Sequence, residues 1–153
     1  MDHIVRFAKN KYQRELLIDC GKMSDIPAFV INHNPFVVAF HELFFITKGS
    51  GIFSLNDEQI PFQPGTILLL PPYKCRQWRS IKGQIDGYML LFEEEFISTY
   101  FNDAFFLYRF HYFYNQSSPS YVHLPSQSFH VYLRRIQEIE HELKHLQADS
   151  DHF

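Results

Sequence analysis

The stretch ELFFITKGSGIFSLNDEQIPFQPGTILLLPPYKCRQW, residues 42–78, decides the fold class of this chain. Its apolar runs are short, and turn-forming residues separate them: Gly49-Ser50-Gly51, Asn56-Asp57, Pro64-Gly65 and Pro71-Pro72. Glycine reaches positive φ angles, proline fixes φ, and Asn or Asp side chains bond to the nearby backbone, so all of them interrupt regular structure. Short strands between such turns predict an antiparallel sandwich or barrel.

The same pattern of short apolar runs extends on both sides of this stretch. Runs 51–55 and 58–62 predict a hairpin about a two-residue Asn56-Asp57 turn. The acidic start of residues 93–103 predicts a short helix, and the NQSSPS run at 115–120 predicts a loop. The candidate strands are residues 4–7, 15–19, 35–40, 42–47, 51–55, 58–62, 66–70, 75–78 and 84–92.

Composition limits the class of protein. The chain has 153 residues, which suits one domain, and its 17 Phe and 9 Tyr favour a sheet-based fold. A net charge of −3 without a basic cluster argues against direct binding of nucleic acid by this chain. Two distant cysteines, Cys20 and Cys75, and no signal peptide predict a reduced, cytoplasmic setting without disulfides. No apolar run reaches the roughly 18–20 residues of a membrane span, so we expect a soluble protein with no membrane partner.

The C-terminal part of the chain predicts one long amphipathic helix. Residues 129–147 contain neither Gly nor Pro, and Ser126 or Ser128 is a candidate N-cap after Pro125. Glu140 and Lys144 predict an i,i+4 ion pair. Apolar residues recur at spacings of three and four, which predicts a single packing seam. The seam consists of Phe129, Tyr132, Ile136, Ile139, Leu143 and Leu146.

The HELKH sequence at 141–145 matches the His-Glu-x-x-His zinc-protease motif, but its position on the helix argues against that function. With Ile139 and Leu143 in the seam, His141 and His145 fall on the opposite, solvent-facing side. A catalytic zinc pair needs a walled cleft and a third ligand. We therefore expect these histidines to belong to a solvated face.

Two segments, ELFFITKGSG and PFQPGTILLLPPYKCRQW, resemble the two motifs of a cupin double-stranded β-helix. Glu42 and Gly49 match the Glu and Gly of the first motif, and Gly65 and Pro71 match the second. Tyr73 stands where the second motif has Gly. The resemblance implies a mostly β, jelly-roll barrel followed by C-terminal helices.

The metal ligands of the cupin pattern are mostly missing. Pro35 and Val37 stand in place of the paired histidines, and Arg76 stands in place of the last one. The remaining Glu42 is expected to form an ion pair with Arg76 rather than to bind a metal. His41 is one position out of phase on the strand and should point to the opposite face. We therefore expect no metal, no cofactor and no catalytic residue.

A cupin without metal ligands that ends in a heptad helix resembles the N-terminal domain of AraC-type transcription regulators. The PGTILLLPP turn, the DGYMLLF strand and the closing helix carry this resemblance in that order. It implies effector binding, often of a sugar, in residues 1–125 and a dimerisation helix with the start of a linker in 126–153. It further implies a homodimer that contacts DNA through a C-terminal helix-turn-helix domain outside this chain. The implied dimer contacts are Tyr132, Ile136, Ile139, Leu143 and Leu146.

The resemblance also implies a ligand site, with Asn34, Trp78 and Met89 at positions that contact sugars in the family. Arg76 lies two residues before Trp78 on the same face and, with Glu42, is expected to offer hydrogen bonds. The alternative is that Trp78 is a core aromatic residue and that Arg76 only pairs with Glu42. Two other functions stay open: a metal-dependent cupin isomerase or dioxygenase, and a free-standing small-molecule-binding cupin.

Overall fold

The computed structural model describes residues 4–5, 18–25, 35–93 and 120–150, with side chains for 19–25, 35–93 and 120–145. The predicted helix over 93–103 and the loop over 115–120 fall outside these ranges, apart from Glu93 and Ser120. The strands are β1 (Ile4–Val5), β2 (Ile18–Lys22), β3 (Val37–Val38), β4 (His41–Leu55), β5 (Glu58–Phe62), β6 (Thr66–Leu70), β7 (Arg76–Phe92) and β8 (Tyr121–His123), and the helix is α1 (Ser126–Ser150).

Six of these strands form one antiparallel sheet in the order β2-β7-β4-β6-β8, with β5 also paired to β4. β1 and β3 form a separate parallel pair. The prediction of a mostly β fold with a C-terminal helix is confirmed. Within the residues described, no helix combines the length and the hydropathy that a membrane span requires.

The central strands are longer than the sequence pattern predicted. Runs 42–47 and 51–55 are parts of the single strand β4, and runs 75–78 and 84–92 are parts of β7. The division into separate strands was therefore wrong. Register shifts between Ile46 and Ile52 mark bulges, at which the ladder bends and continues instead of ending. Gly49, with φ of 88°, lies in this bend, where glycine accepts a conformation that other residues resist.

Three smaller predictions also compare directly with the structure. The two-residue Asn56-Asp57 hairpin is confirmed, because Leu55 pairs with Glu58 on either side of it. The candidate strand 35–40 reduces to Val37–Val38. Of the candidate strand 15–19, residues 18 and 19 are described, and they belong to Ile18–Lys22. Strand ends are set by ladder partners, which a local pattern does not show.

The bend in β4 folds the sheet back on itself. Phe44 and Phe53 are nine residues apart in the chain, a distance of about 30 Å in a straight strand. Both nevertheless contact the Trp78 indole, with ring centroids 5.5 and 4.8 Å from it. The first half of β4 therefore faces its own second half across an enclosed interior, as expected for a barrel-like sheet.

Alternate residues of the sheet build two separate apolar clusters. The inner cluster fills the interior between the folded halves and includes Phe44, Phe53, Trp78 and Met89. The outer cluster lies between the other face of the sheet and α1, and includes Phe45 and Phe92 of the sheet. The two-residue period of the strands sends neighbouring side chains to different clusters.

The helix packs along its predicted seam against its own sheet, mainly on β2 and β7. It begins at Ser126, the first residue of the segment 126–153 in which a helix was expected, and the Phe129 amide donates to the Pro125 carbonyl at 2.9 Å. Ser126 and Ser128 therefore both lie inside the helix, and neither candidate cap precedes it. Leu133, which the predicted seam omitted, is also buried there. The predicted Glu140–Lys144 ion pair is present at 3.8 Å.

Candidate functional site

A buried ion pair, formed by Glu42 and Arg76, lies in the interior of the folded sheet. Glu42 is the second residue of β4 and Arg76 is the first of β7, and both side chains are fully buried. In the β4–β7 ladder, Arg76 is paired with Leu55 at the far end of β4 from Glu42. Only the bend in β4 brings the two charges together. The ion pair predicted from the sequence is confirmed.

Arg76 also holds the loop that precedes its own strand. Its Nη1 donates to Oε1 of Glu42, its Nη2 donates to the Pro71 carbonyl, and its Nε donates to the Lys74 carbonyl at 3.2 Å. Every nitrogen of the guanidinium is therefore engaged, and its positive charge faces the Glu42 carboxylate.

The loop held by Arg76 has an unusual backbone at Tyr73, which has φ of 65° and is 66% exposed. The Tyr73 amide donates to the Val38 carbonyl at 2.9 Å. Tyr73 occupies the position where the cupin pattern has Gly, a residue that adopts positive φ at little cost. The turn of the pattern is therefore kept although its usual residue is replaced.

Trp78 lies two residues after Arg76 and points into the same interior. Its indole is 1% exposed, and Phe44, Phe53 and Phe62 meet it edge to face at 5.5, 4.8 and 5.3 Å. Trp78 is therefore packed as a core aromatic residue, and Arg76 pairs with Glu42. Both observations agree with the alternative to a ligand contact that the sequence left open. Nε1 of Trp78 is nevertheless buried without a hydrogen-bond partner, although an indole N–H normally finds one.

Glu42 carries a second unpartnered buried atom. Oε1 accepts from Arg76, whereas Oε2 is buried without a hydrogen-bond partner. Across the interior, Glu42 of β4 contacts Arg76 of β7. Two residues further along each strand, Phe44 contacts Trp78. Oε2 and Nε1 thus belong to adjacent layers of the same interior, one an acceptor and the other a donor.

Burial dominates the electrostatics of the pair. Burial raises the pKa of Glu42 to about 7, although the charge and hydrogen bond of Arg76 oppose that shift. Burial also lowers the pKa of Arg76, and the Glu42 carboxylate opposes this. The pair is therefore costly to keep ionised in this interior, which gives Glu42 the ability to change protonation near neutral pH.

His41 is directed away from the pair, as predicted. It stacks on Phe92 of the outer cluster, with ring centroids 5.1 Å apart and planes within 8°. Burial, followed by repulsion from the Arg76 charge, lowers its pKa to about 4. The ring is therefore neutral at physiological pH.

The cupin fold is commonly associated with a metal, but the residues here do not fit one. Arg76 stands at a ligand position and cannot bind a cation, and it occupies one oxygen of Glu42. Val37 offers no donor atom, and His41 faces the other side of the sheet. No group of three or more potential ligands occurs among the described residues.

The remaining predicted site residues divide by location. Met89 is buried in the inner cluster and lies opposite Phe44 in the ladder. Asn34 lies outside the described residues. The Phe rings around the indole were not predicted as site residues, although Phe44 shares the strand face of Glu42 at the i+2 position. This two-residue spacing is the feature of the sequence that could have placed Phe44 beside the site.

The predicted dimer contacts lie mostly against the chain's own sheet. Ile136 and Leu143 are buried in the outer cluster, and Tyr132 and Ile139 are partly buried against it. Leu143, one of the implied dimer contacts near the C-terminal end of the seam, is buried and not open to a partner. The Leu146 side chain is outside the described residues. Dimerisation through the helix stays a prediction.

His141 and His145 are both exposed, as predicted for a solvated face. Their ring centroids are 5.5 Å apart, as expected one turn apart on a helix. No third ligand joins them among the residues with described side chains.

Comparison with known proteins gives one strong match. The family model for the AraC-like ligand binding domain matches residues 31–148, which include the inner pair, Trp78 and most of α1. No curated protein matches the chain significantly.

Among solved structures, the plu4264 protein of Photorhabdus luminescens is 16% identical, with a TM-score of 0.37 over 53% of this chain and 79% of that one. A cupin 2 conserved barrel domain protein of Salinispora arenicola is 17% identical, with a TM-score of 0.35 over 53% and 80%. Streptomyces PAC13 with uridine is 14% identical, with a TM-score of 0.30 over 54% and 77%. Likeness at this level says nothing about the ligand or activity of this chain.

Proposed function

The chain belongs to the family of AraC-like ligand-binding domains, and on that premise we propose that it is the effector-sensing domain of a transcription regulator. Its effector is a small polar molecule of the sugar type, bound in the interior between the folded halves of the sheet. Contact with DNA is made by a helix-turn-helix domain outside this chain, and the protein acts in the cytoplasm.

One observation carries this proposal: the matched region places a polar pair in an otherwise apolar interior. Glu42 and Arg76 stand where the cupin pattern has metal ligands, and the Trp78 indole lies beside them. Binding sites of small molecules are commonly apolar cavities with a few placed polar groups. The lining of this interior has the same composition, apolar side chains around a few polar groups.

We propose that the domain is not an enzyme. The support is the chemistry of the pair, in which Arg76 takes the place of a metal ligand and neutralises Glu42. Elemental analysis should then find no stoichiometric Zn, Fe or Mn in the purified protein. About one metal per chain, lost in Glu42→Ala, would overturn this view and favour a cupin isomerase or dioxygenase.

The proposal includes a homodimer formed through α1. Tyr132 and Ile139 are the seam residues with described side chains that the sheet covers only in part. The exposed part of these side chains would contact a second copy about a two-fold axis. Sedimentation velocity of Tyr132→Asp and Ile139→Asp should show monomers, while the exposed Val131→Asp should leave the native mass unchanged.

The experiment that tests the binding function is a thermal-shift screen of the native chain with sugars, sugar acids, amino acids and aromatic acids. A ligand that binds only the folded state raises the melting temperature with concentration, by linkage. We expect one chemical class to do so in a saturable manner. A chain that no small molecule in the set stabilises contradicts the proposal. If the protein is a transcription regulator, the ligand found should change the transcription of its target genes in cells that carry the gene for this protein. It should not do so in cells from which that gene is deleted.

A further inference from the structure

The sequence EIEHELKH, residues 138–145, repeats the pattern Glu-x-x-His twice and places two histidines one helical turn apart on the exposed side of α1. We propose that His141 and His145 chelate one divalent transition cation of the Zn²⁺ or Ni²⁺ type. This surface site lies outside the interior of the sheet and goes beyond the proposed function. It needs neither a walled cleft nor a catalytic role.

The packing of α1 fixes the side on which both histidines lie. Leu143 is buried in the outer cluster against the sheet, and Ile139 is partly buried there. His141 and His145 each follow one of these residues by two positions, about 200° around the helix, and both are exposed. Because the sheet holds the buried side of α1, both imidazoles stay together in solvent, where a cation can reach them.

The separation of the two rings fits a shared cation. Their centroids are 5.5 Å apart, and their planes are tilted by 39°. With Zn–N bonds of about 2.1 Å and tetrahedral angles, two imidazole rings on one zinc ion have centroids about 5.3 Å apart. Residues i and i+4 are neighbours on a helix, so the backbone does not have to change for both rings to bind.

The charges around the pair favour a cation. Glu138 and Glu142 each lie three residues before one of the histidines, hence on the same side of α1, and both are exposed. The neighbouring Lys144 is paired with Glu140, with Nζ 3.8 Å from Oε2. The two carboxylates beside the pair therefore attract the dication that the imidazoles bind.

The site is open, and its cation exchanges with the solvent. No third His, Cys, Asp or Glu converges on the pair among the described side chains, so water completes the coordination. An open groove of about 440 Å³ adjoins His141 and leaves room for that water. Its described lining residues are Arg134, Gln137, Glu138, His141 and Glu142. Protein prepared in EDTA should therefore contain no metal and should bind it when it is added.

The test is isothermal titration calorimetry of the EDTA-treated chain, without a polyhistidine tag, with ZnCl₂, NiCl₂ and MgCl₂. We expect one Zn²⁺ or Ni²⁺ per chain and no binding of Mg²⁺, because imidazole suits transition cations whereas Mg²⁺ prefers oxygen ligands. The melting temperature should rise with the concentration of Zn²⁺, since the chelate needs the folded helix.

Removal of either ring should destroy the chelate. Once one imidazole has bound, the second binds the same cation intramolecularly, so His141→Ala and His145→Ala should each weaken Zn²⁺ binding about 100-fold. The matched control is His130→Ala, which removes an exposed histidine of the same helix that has no histidine one turn away on either side. It should leave Zn²⁺ binding unchanged. All three side chains are exposed, so the variants should fold, which circular dichroism checks.

Zn²⁺ binding that survives His141→Ala or His145→Ala undiminished, or that His130→Ala reduces equally, would overturn the site. One Zn²⁺ per two chains with a doubled mass in sedimentation would also overturn it, in favour of a bridge between copies. If neither Zn²⁺ nor Ni²⁺ binds, this site falls and the proposed function stands. A metal that is lost in Glu42→Ala but retained in His141→Ala contradicts both this site and the proposal of a metal-free interior.

Discussion

The two faces of strand β4 have opposite characters, although their residues alternate in one sequence. On the outer face, Leu43 and Phe45 meet the apolar side of α1. On the inner face, Glu42 and Phe44 meet Arg76 and Trp78. The outer cluster is sealed by a helix, whereas the inner one includes a charged pair and two unsatisfied polar atoms.

The two faces differ in how they contribute to the free energy of folding. The outer face stabilises the fold, whereas the inner face contains charges that are unfavourable to bury. Apolar packing gains free energy for each area buried. A buried ion pair usually gains little, since removal of both ions from water offsets their attraction. The proposed ligand binding would be a reason other than stability to keep such a pair in the interior.

The largest effect should come from breaking the inner pair. Glu42→Ala or Arg76→Ala leaves one uncompensated buried charge and should lower the free energy of unfolding by about 3–5 kcal/mol. The double substitution Glu42→Leu/Arg76→Met removes both charges and should recover most of that loss. Urea unfolding followed by circular dichroism measures all three. A double variant less stable than either single variant would show that the pair itself stabilises the fold.

The outer face should respond as an ordinary core. Ile136→Ala removes a buried side chain from the helix–sheet contact and should cost about 2–5 kcal/mol, from lost apolar burial and the cavity that remains. The control is Val131→Ala on the same helix, which is 55% exposed and should change stability by less than about 0.5 kcal/mol. The same urea series measures both. Equal losses for the two positions would mean that α1 does not pack on the sheet in solution.

The smallest effect concerns pH and separates the neighbours His41 and Glu42. The raised pKa of Glu42, about 7 against 4.5, contributes stability that is present at low pH and lost as pH rises through 7. The lowered pKa of His41, about 4 against 6.5, contributes stability that is present above 6.5 and lost as pH falls toward 4. Each slope is at most about 1.4 kcal/mol per pH unit, and the two oppose each other between pH 4.5 and 6.5.

His41→Phe exposes the Glu42 contribution, because it keeps a ring on Phe92 but cannot titrate. Relative to the native protein, this variant should lose stability as pH rises from 4.5 to 6.5. Thermal unfolding at several pH values within that window measures the difference. A constant difference between the two proteins would show that His41 titrates in the folded state as it does in the unfolded chain.

Much of the fold was accessible from local patterns. The two-residue spacing of strands, the Asn56-Asp57 turn and the heptad seam of α1 all reflect short-range preferences that each segment carries by itself. The strand breaks were predicted less well. Gly49 and Gly51 were interpreted as the end of a strand, whereas the partner strand β7 holds both sides of the bulge in one ladder. A ladder partner far away in sequence decides that outcome.

The sequence predicted which described residues form the candidate site, but not which hydrogen bonds they make. Parity placed Arg76 and Trp78 on one face and His41 opposite Glu42, and the pattern of replaced cupin ligands indicated the ion pair. Neither observation predicts that Arg76 also donates to the carbonyls of Pro71 and Lys74. Every residue has a backbone carbonyl, so the residue type does not indicate which carbonyl accepts a hydrogen bond.

The amino-acid sequence by itself determined a mostly β chain with a long C-terminal helix, the opposite faces of His41 and Glu42, and an Arg in place of a metal ligand. Tertiary structure alone decided that the ends of β4 meet, that the helix seam is used on the chain's own sheet, and that Oε2 of Glu42 and Nε1 of Trp78 remain unsatisfied. The physical reason is the distance along the chain over which each interaction acts. Periodicity and turn chemistry act over a few neighbouring residues, whereas burial and hydrogen-bond partners depend on segments that only the closed sheet brings together.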